Sequence, residues 1–432
     1  KSQLARLPVR RVIFLYPTRA TATEGFRDYV SWAPESDAGL VHGTSEYDLE
    51  GMFEEVTDER KGKSFLTEDR LFALQYWHRR IFSATVDQFL GFMQQSYRSI
   101  CLLPLLAESV LVVDEIHSFD QSLFSAFKLF LKNFDVPVLA MTASLPKNRR
   151  EDLQMECGLM VFPKNPENFS DLEKSAVFPR YQISLVANQA EVEQRCINVL
   201  VGKNTKMRIL WVVNTVSRCQ QIARHFRNCL GIEVLCYHSR YTLEDRKRHH
   251  QELISAFQTR TGSILAITTQ VCEMSLDIDA DVLVSELCPI SSLIQRMGRC
   301  NRHADLSSDR LGQVLLYPPE DEKPYSNEDL EGVTQFIEEI EGKVIHQKLL
   351  SELLERHGPK GIEVEKYAAF LECGPWAFER EASLREENDF TQQAILDTMI
   401  IEFLEFRRKK KSVDGMIVPV PRRFARKEPR LG

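Results

Sequence analysis

The sequence predicts an α/β protein: two tandem domains with parallel sheets covered by helices, then a smaller, mostly helical C-terminal region. Three observations lead there. Short β-branched, apolar runs end in small polar clusters, amphipathic stretches separate them, and the alternation occurs twice along the chain. Strands that are apolar almost throughout belong to sheets buried on both faces, as in a parallel sheet fed by crossover helices. A length of 432 residues suffices for two or three cores. Apolar residues at 43% and charged residues at 27% are ordinary for a globular chain.

In the first domain, residues 1–175, "VIFLY" leads into "PTRAT", "VLVV" into "DEIH", and "PVLAM" into "TASLP". Phe162 to Tyr181 is rich in Pro, Asn and Ser without clear periodicity, and marks the join. In the second domain, residues 176–322, "ILWVV" leads into "NT", "IEVLC" into "YHSR", "SILAIT" into "TQVCEMSLD", and "DVLVSE" into "LCPISS". Ligands of parallel sheets sit at the carboxyl ends of the strands, where these polar clusters fall. Composition changes again over Tyr317 to Gly332, which sets residues 323–432 apart as the accessory region. Its "LEGVTQFIEEIEGKVIHQKLLSELLERHG" has helical spacing of apolar residues and stops at Gly358.

Several function classes fall away on composition. No run of about eighteen uncharged apolar residues occurs, so no membrane partner is expected. The N-terminal residues lack the pattern of a signal peptide. Ten cysteines are scattered with no C-x-x-C pair, which fits a reducing cytoplasm better than a zinc or redox site. The net charge of −7 argues weakly against nucleic acid, but Arg407 to Arg430 holds ten basic residues against two acids. A basic tail on an acidic body can hold phosphate, and it reads equally as a solvated terminus.

The chemistry starts at Asp114 and Glu115. At the carboxyl edge of a parallel strand one carboxylate can hold Mg²⁺ beside nucleotide phosphates, and its neighbour can orient the attacking water. An apolar run ending in Asp-Glu is not specific alone. "SLIQRMGRCNRH" adds Gln295, Arg296, Arg299 and Arg302, spaced so that much of the set shares a face, and arginine stabilises charge on a transferring phosphoryl group. Between them, "TTQVCEMSLDIDAD" places hydroxyls, a Gln and acids just after a strand, suited to nucleotide, substrate backbone or both. Trp77 and Phe82 read as core or interface aromatics.

In this order across two α/β units, "DEIH", "TASLP", "TQVCEMSLDID" and "QRMGRCNR" resemble superfamily 2 helicases. More narrowly, with "YPTRAT", "SATVDQF", "HSRY" and "EDR", the chain is similar to the helicase part of the nuclease–helicase of type I CRISPR–Cas interference. The resemblance spans about residues 10 to 305 and implies two RecA-like domains, with ATP and Mg²⁺ as cofactors. It implies that Asp114 holds Mg²⁺, Glu115 activates water, and His117 links nucleotide state to the substrate side. Thr142 and Ser144 would form the coupling segment. Arg299 and Arg302 would sense phosphate, with Gln295, Arg296, Glu273 and Asp277 beside the nucleotide. Thr18, Arg19, Thr85, Asn214, Thr215, His238, Arg240, Thr269 and Gln270 would line the nucleic-acid strand, where hydroxyls and amides track phosphodiesters without reading bases.

Two departures stand out. No G-x-x-x-x-G-K-[ST] loop occurs, and "KGKS" at Lys61 to Ser64 has neither the leading glycine nor a preceding strand. The resemblance puts that loop before "PTRA", so the sequence is expected to begin downstream of it. None of the ten histidines is followed by Asp, so the family's HD-type nuclease is expected in another chain or segment. The function expected is an ATP-dependent single-stranded DNA helicase working with a guide-RNA interference complex. Two rivals stay open: an RNA helicase of the same superfamily, and a non-hydrolysing clamp or nuclease-recruiting scaffold.

Overall fold

The computed structural model describes residues 10–27, 38–41, 79–94, 99, 102–142, 145–163, 169–201, 206–230, 234–259, 262–274, 276–304, 310–358, 371, 391–409 and 413–421. Trp77, Lys61 to Ser64, Ser144, the Arg19 side chain and most of the basic tail lie outside the described residues. The chain divides into two compact units, built mainly from Lys1–Met160 and Val161–Lys360.

In the first unit β1 (Arg11–Tyr16), β2 (Ala38–Val41), β3 (Ile81–Thr85), β4 (Ser109–Val113) and β5 (Val138–Ala140) form one sheet in the order β2-β3-β1-β4-β5. Every pair is parallel, with Phe14 opposite both Ser83 and Val112. Parallel pairing needs crossovers, and here these carry α1 (Arg19–Gly25), α2 (Val86–Leu90), α3 (Leu103–Leu106) and α4 (Gln121–Asn133), while α5 (Lys147–Met155) follows the last strand. The α4 helix buries Leu123, Phe124, Ala126, Phe127 and Phe130 on one stripe, and Asp120 caps it by accepting the Leu123 N–H at 2.7 Å. Phe82 is core, as expected. Phe89, Phe92 and Phe130 meet edge to face at 5.6–6.2 Å.

The second unit holds α6 (Ser170–Val177), β6 (Tyr181–Leu185), α7 (Gln189–Val201), β7 (Arg208–Val212), α8 (Val216–Leu230), β8 (Val234–Tyr237), α9 (Leu243–Thr259), β9 (Ile264–Thr268), β10 (Val282–Glu286), α10 (Ile290–Met297), β11 (Gly312–Tyr317), α11 (Val333–Ile340), β12 (Val344–Ile345) and α12 (Gln347–His357). The sheet order is β12-β6-β11-β10-β7-β9-β8, parallel except for β12 against β6. All five residues of β7 and of β10 are buried, which is why those runs carry no alternation.

Two details differ from the sequence reading. The helical stretch ending at Gly358 is two helices, because Gly342 takes φ +69 and the chain pairs briefly as β12. Nor does that stretch form its own core. Val333, Phe336, Ile340, Leu350 and Leu353 share one buried cluster with Leu283, Leu293 and Met297 of the sheet unit. Gly332, at φ +76, opens α11, and a Cβ there would collide with the His357 carbonyl oxygen. Further on, β13 (Thr391–Ile395) and β14 (Ile417–Pro421) pair antiparallel, with α13 (Ile400–Arg408) between them in the chain. No described helix is long and apolar enough to cross a membrane.

Candidate functional site

The β4 strand runs between β1 and β5, and its carboxyl end carries the acids. The Asp114 N–H still donates to the Leu15 carbonyl at 2.9 Å, so the ladder ends there. Glu115 then turns the chain at φ 52, ψ 43, a left-handed conformation costing a non-glycine residue roughly 1 kcal/mol or more. Asp114 Oδ1 accepts the Glu115 N–H at 2.9 Å, and the Ser118 hydroxyl donates to the Glu115 carbonyl at 2.7 Å. Both bonds hold the turn without using the Glu115 carboxylate. Burial pushes the Asp114 carboxyl above its ordinary value, and the adjacent Glu115 charge adds to the shift. A cation would relieve both effects.

His117 joins this turn to the next strand. Its Nδ1 sits 2.9 Å from Thr142 Oγ1, just past β5, and 3.2 Å from Glu115 Oε2. The side chain is 6% exposed, and burial lowers its pKa to about 4; Asp114 opposes that shift and Arg149 adds to it. His117 is therefore neutral at pH 7. Because an unfolded histidine titrates near 6.5, the unfolded chain takes up the proton first as pH falls. Stability from this group is full above about 6.5 and declines toward pH 4, by up to about 3 kcal/mol. Urea midpoints of wild type and His117→Gln across that window should converge as the pH falls. Parallel curves would show that His117 titrates normally.

The other residues at this sheet edge are engaged differently. Thr18 caps α1 reciprocally with Thr21: its hydroxyl accepts the Thr21 N–H at 3.2 Å while Thr21 Oγ1 accepts the Thr18 N–H at 3.1 Å. Thr85 ends β3 and is only 3% exposed, which does not fit a hydroxyl offered to a bound strand.

In the second unit the arginines separate. Arg296 lies on α10 within its buried face and is wholly inaccessible. Its Nε donates to Glu273 at 2.8 Å, Nη1 to the Ser285 hydroxyl at 3.0 Å and the Glu286 carbonyl at 3.3 Å, and Nη2 to the Tyr325 hydroxyl at 3.3 Å. Arg296 and Glu273 are thus a buried structural pair, which corrects their expected place beside the nucleotide. Arg299 donates to three backbone carbonyls of one loop, Cys272 at 3.0 Å, Leu276 at 2.7 Å and Glu273 at 2.6 Å. Reaching a phosphate would require it to release them. Arg302 stays accessible, with a 40%-exposed side chain loosely paired to exposed Asp277 at 3.5 Å. Gln295 is half-buried on α10. Arg299→Ala should therefore speed amide exchange over residues 272–276 and lower stability by about 1–3 kcal/mol. Arg302→Ala should stay within about 0.5 kcal/mol of wild type. Equal urea midpoints for the two would refute this division.

The strand-side candidates of this unit partly converge. The Gln270 side-chain amide donates to the Asn214 carbonyl at 2.8 Å, bringing the end of β9 to the end of β7. Asn214 and Thr269 are buried, and the Asn214 N–H donates to Glu286 Oε2 at 2.6 Å. Thr215 Oγ1 accepts the Arg218 N–H at 3.3 Å and starts α8. His238 is buried and stacks on Tyr241 at 4.2 Å, its Nδ1 accepting the Arg240 N–H at 3.2 Å. Half-buried Gln270, Thr215 and Arg240 remain the candidates best placed to meet a strand. Sequence reasoning missed Glu286, Arg218, Asp321 and Tyr325, which knit these ends together. Arg218 donates from Nη2 to Glu286 Oε2 at 3.0 Å and from Nη1 to Asp321 Oδ1 at 2.6 Å. Only the change of composition after Tyr317 hinted at this segment.

No group of three or more His, Cys, Asp or Glu side chains suited to a metal occurs among the described residues. Mg²⁺ beside a nucleotide is held by one or two carboxylates plus phosphate oxygens, so Asp114 fits that demand.

Residues 205–305 match the family described as CRISPR-associated nuclease/helicase Cas3, C-terminal. A putative CRISPR-associated nuclease/helicase Cas3 of Myxococcus xanthus is 36% identical over 356 residues, 82% of this chain. The chain is Cas3 helicase-like. The crystal structure of T. fusca Cas3-AMPPNP matches 93% of it at a TM-score of 0.63 and 19% identity, and so shares the fold. A chain of a pre-nicking CRISPR RNA-guided surveillance complex matches 82% of it at a TM-score of 0.54 and 18% identity. This Cas3-like chain spans only part of each: 46% of the Myxococcus protein, and 49% and 50% of the two structures.

Proposed function

We propose that this chain drives movement along single-stranded DNA by ATP hydrolysis, as the helicase component of type I CRISPR interference. The observation that carries the reading is the acid turn after β4, linked through His117 to Thr142 at the end of β5. A hydrolysis site communicating with a nucleic-acid site needs that kind of linkage. The Cas3 names of the relatives support the CRISPR setting, and the surveillance-complex neighbour supports a guide-RNA complex as partner.

On this reading Asp114 binds Mg²⁺, which would neutralise phosphate charge when present, and Glu115 orients and deprotonates the attacking water. Accessible Arg302 meets developing phosphate charge, and Arg299 joins it by exchanging its carbonyl partners for phosphate oxygens. Gln270, Thr215 and Arg240 contact the DNA backbone. A nuclease of the HD type acts on the strand so exposed.

The test compares ATP hydrolysis by the protein with oligo-dT, with oligo-U and without nucleic acid. Stimulation is expected to be greatest with oligo-dT. Greater stimulation by oligo-U would make it an RNA helicase. Tight oligo-dT binding without hydrolysis would favour a clamp, a reading to which the occupied Arg299 guanidinium lends some support.

A further inference from the structure

We propose that Tyr325 is a positioning residue whose hydroxyl couples the strand-side loop after β9 to the arginine helix α10. This rests on the translocase reading above and adds a residue outside every motif that suggested it. Tyr325 Oη is shared: Gln270 Nε2 reaches it at 3.3 Å and Arg296 Nη2 reaches it at 3.3 Å. Gln270 Nε2 also donates to the Asn214 carbonyl at 2.8 Å, and Arg296 Nε to Glu273 at 2.8 Å. One oxygen therefore stands between the residue proposed to meet DNA and the helix that leads into Arg299 and Arg302.

The segment carrying Tyr325 is itself anchored. Arg218 of α8 donates to Asp321 at 2.6 Å and to the Lys323 carbonyl at 3.2 Å, and it bonds Glu286 at the end of β10. The tyrosine ring packs against the main core of the unit. Ring and backbone are thus fixed, and the hydroxyl is the adjustable element. If the Gln270 amide turns toward a DNA phosphate, Oη loses one donor and is left to Arg296. At 3.3 Å each bond is long and worth about 1 kcal/mol or less, so either is readily exchanged. A strong bond would hold one state; two weak ones to a common oxygen suit a relay.

The test follows amide hydrogen exchange in the full chain, without nucleotide, on adding saturating oligo-dT. In wild type, oligo-dT should slow exchange over residues 269–274 and also over 290–302. In Tyr325→Phe, affinity by fluorescence anisotropy should stay within about threefold and slowing should persist at 269–274, yet vanish at 290–302. Asp321→Asn, which loosens the segment and leaves the hydroxyl, should retain the spread. Spread unchanged in Tyr325→Phe would leave the tyrosine a packing group and overturn the inference while the translocase reading stands. Loss of the spread in Asp321→Asn as well would assign the effect to the segment and overturn it too. Failure of wild type to bind oligo-dT would sink the reading itself, and the inference with it.

Discussion

Arg296→Ala is expected to destabilise the second unit by about 3–5 kcal/mol, more than the loss of either Arg299 or Arg302. The guanidinium is completely buried and ties together four places: Glu273 after β9, Ser285 and the Glu286 carbonyl on β10, and Tyr325. Removing it deprives the Glu273 carboxylate of its bonded counter-charge and leaves only the weaker attraction of Arg299, and a one-sided deletion of that kind costs far more than the pair contributed. The pH dependence makes the cause testable. Burial already pushes the Glu273 carboxyl above its ordinary value with Arg296 opposing, so losing Arg296 pushes it further. A carboxyl raised in the folded state supports folding below its unfolded value and loses that support as pH rises through the folded value. The deficit of Arg296→Ala should therefore be smallest near pH 4.5 and grow toward pH 8. Adding Glu273→Gln should recover part of it at neutral pH. Urea unfolding followed at both pH values reads each point. A deficit below about 1 kcal/mol at pH 7 would mean that the buried pair matters little.

The unequal fates of the three arginines show where sequence patterning stops. Spacing placed Arg296, Arg299 and Arg302 on one face, an argument that holds only while the helix lasts. It ends at Met297, where Gly298 donates to the Ile294 carbonyl, and Asn301 then turns left-handed at φ 48. Past that point periodicity carries no information. The partners of Arg296 were equally illegible, since Glu273 lies twenty-three places away and only folding brings it near. By contrast, β1, β4, β5, β7, β8, β9 and β10 stand out as apolar runs, and the α/β class follows from them. The strand β6, "YQISL", escaped notice because polar Gln182 and Ser184 interrupt its apolar residues. The four-residue strand β2 is too short for any period to register. At the acid turn the placement of both carboxylates at the carboxyl end of β4 was legible, for a physical reason. The turn is a local device, made by consecutive residues, so its chemistry is written in consecutive letters.

For that same turn, Glu115→Gln is expected to lower DNA-stimulated ATP turnover by about 10²–10⁴-fold while leaving nucleotide affinity within a few-fold. The substitution is nearly isosteric and spares what holds the geometry. The turn rests on the Asp114 carboxylate accepting the residue-115 N–H and on Ser118 bonding the residue-115 carbonyl, and both survive. The left-handed backbone strain is the same for either side chain. What disappears is an accessible carboxylate, 38% exposed, that can accept a proton from water. An amide cannot. On the proposed mechanism, binding instead draws on Asp114, Arg299 and Arg302, which the variant retains. Asp114→Asn should behave differently, because it weakens the bond that orients the turn and removes the proposed cation ligand, so affinity for the Mg²⁺ nucleotide should fall along with turnover. Comparing kcat and the nucleotide Kd for the two variants separates a base from a ligand. Wild-type turnover in Glu115→Gln would move the base elsewhere. Equal loss of nucleotide affinity in both variants would mean that the two acids form one cation-binding pair and that neither serves as the base.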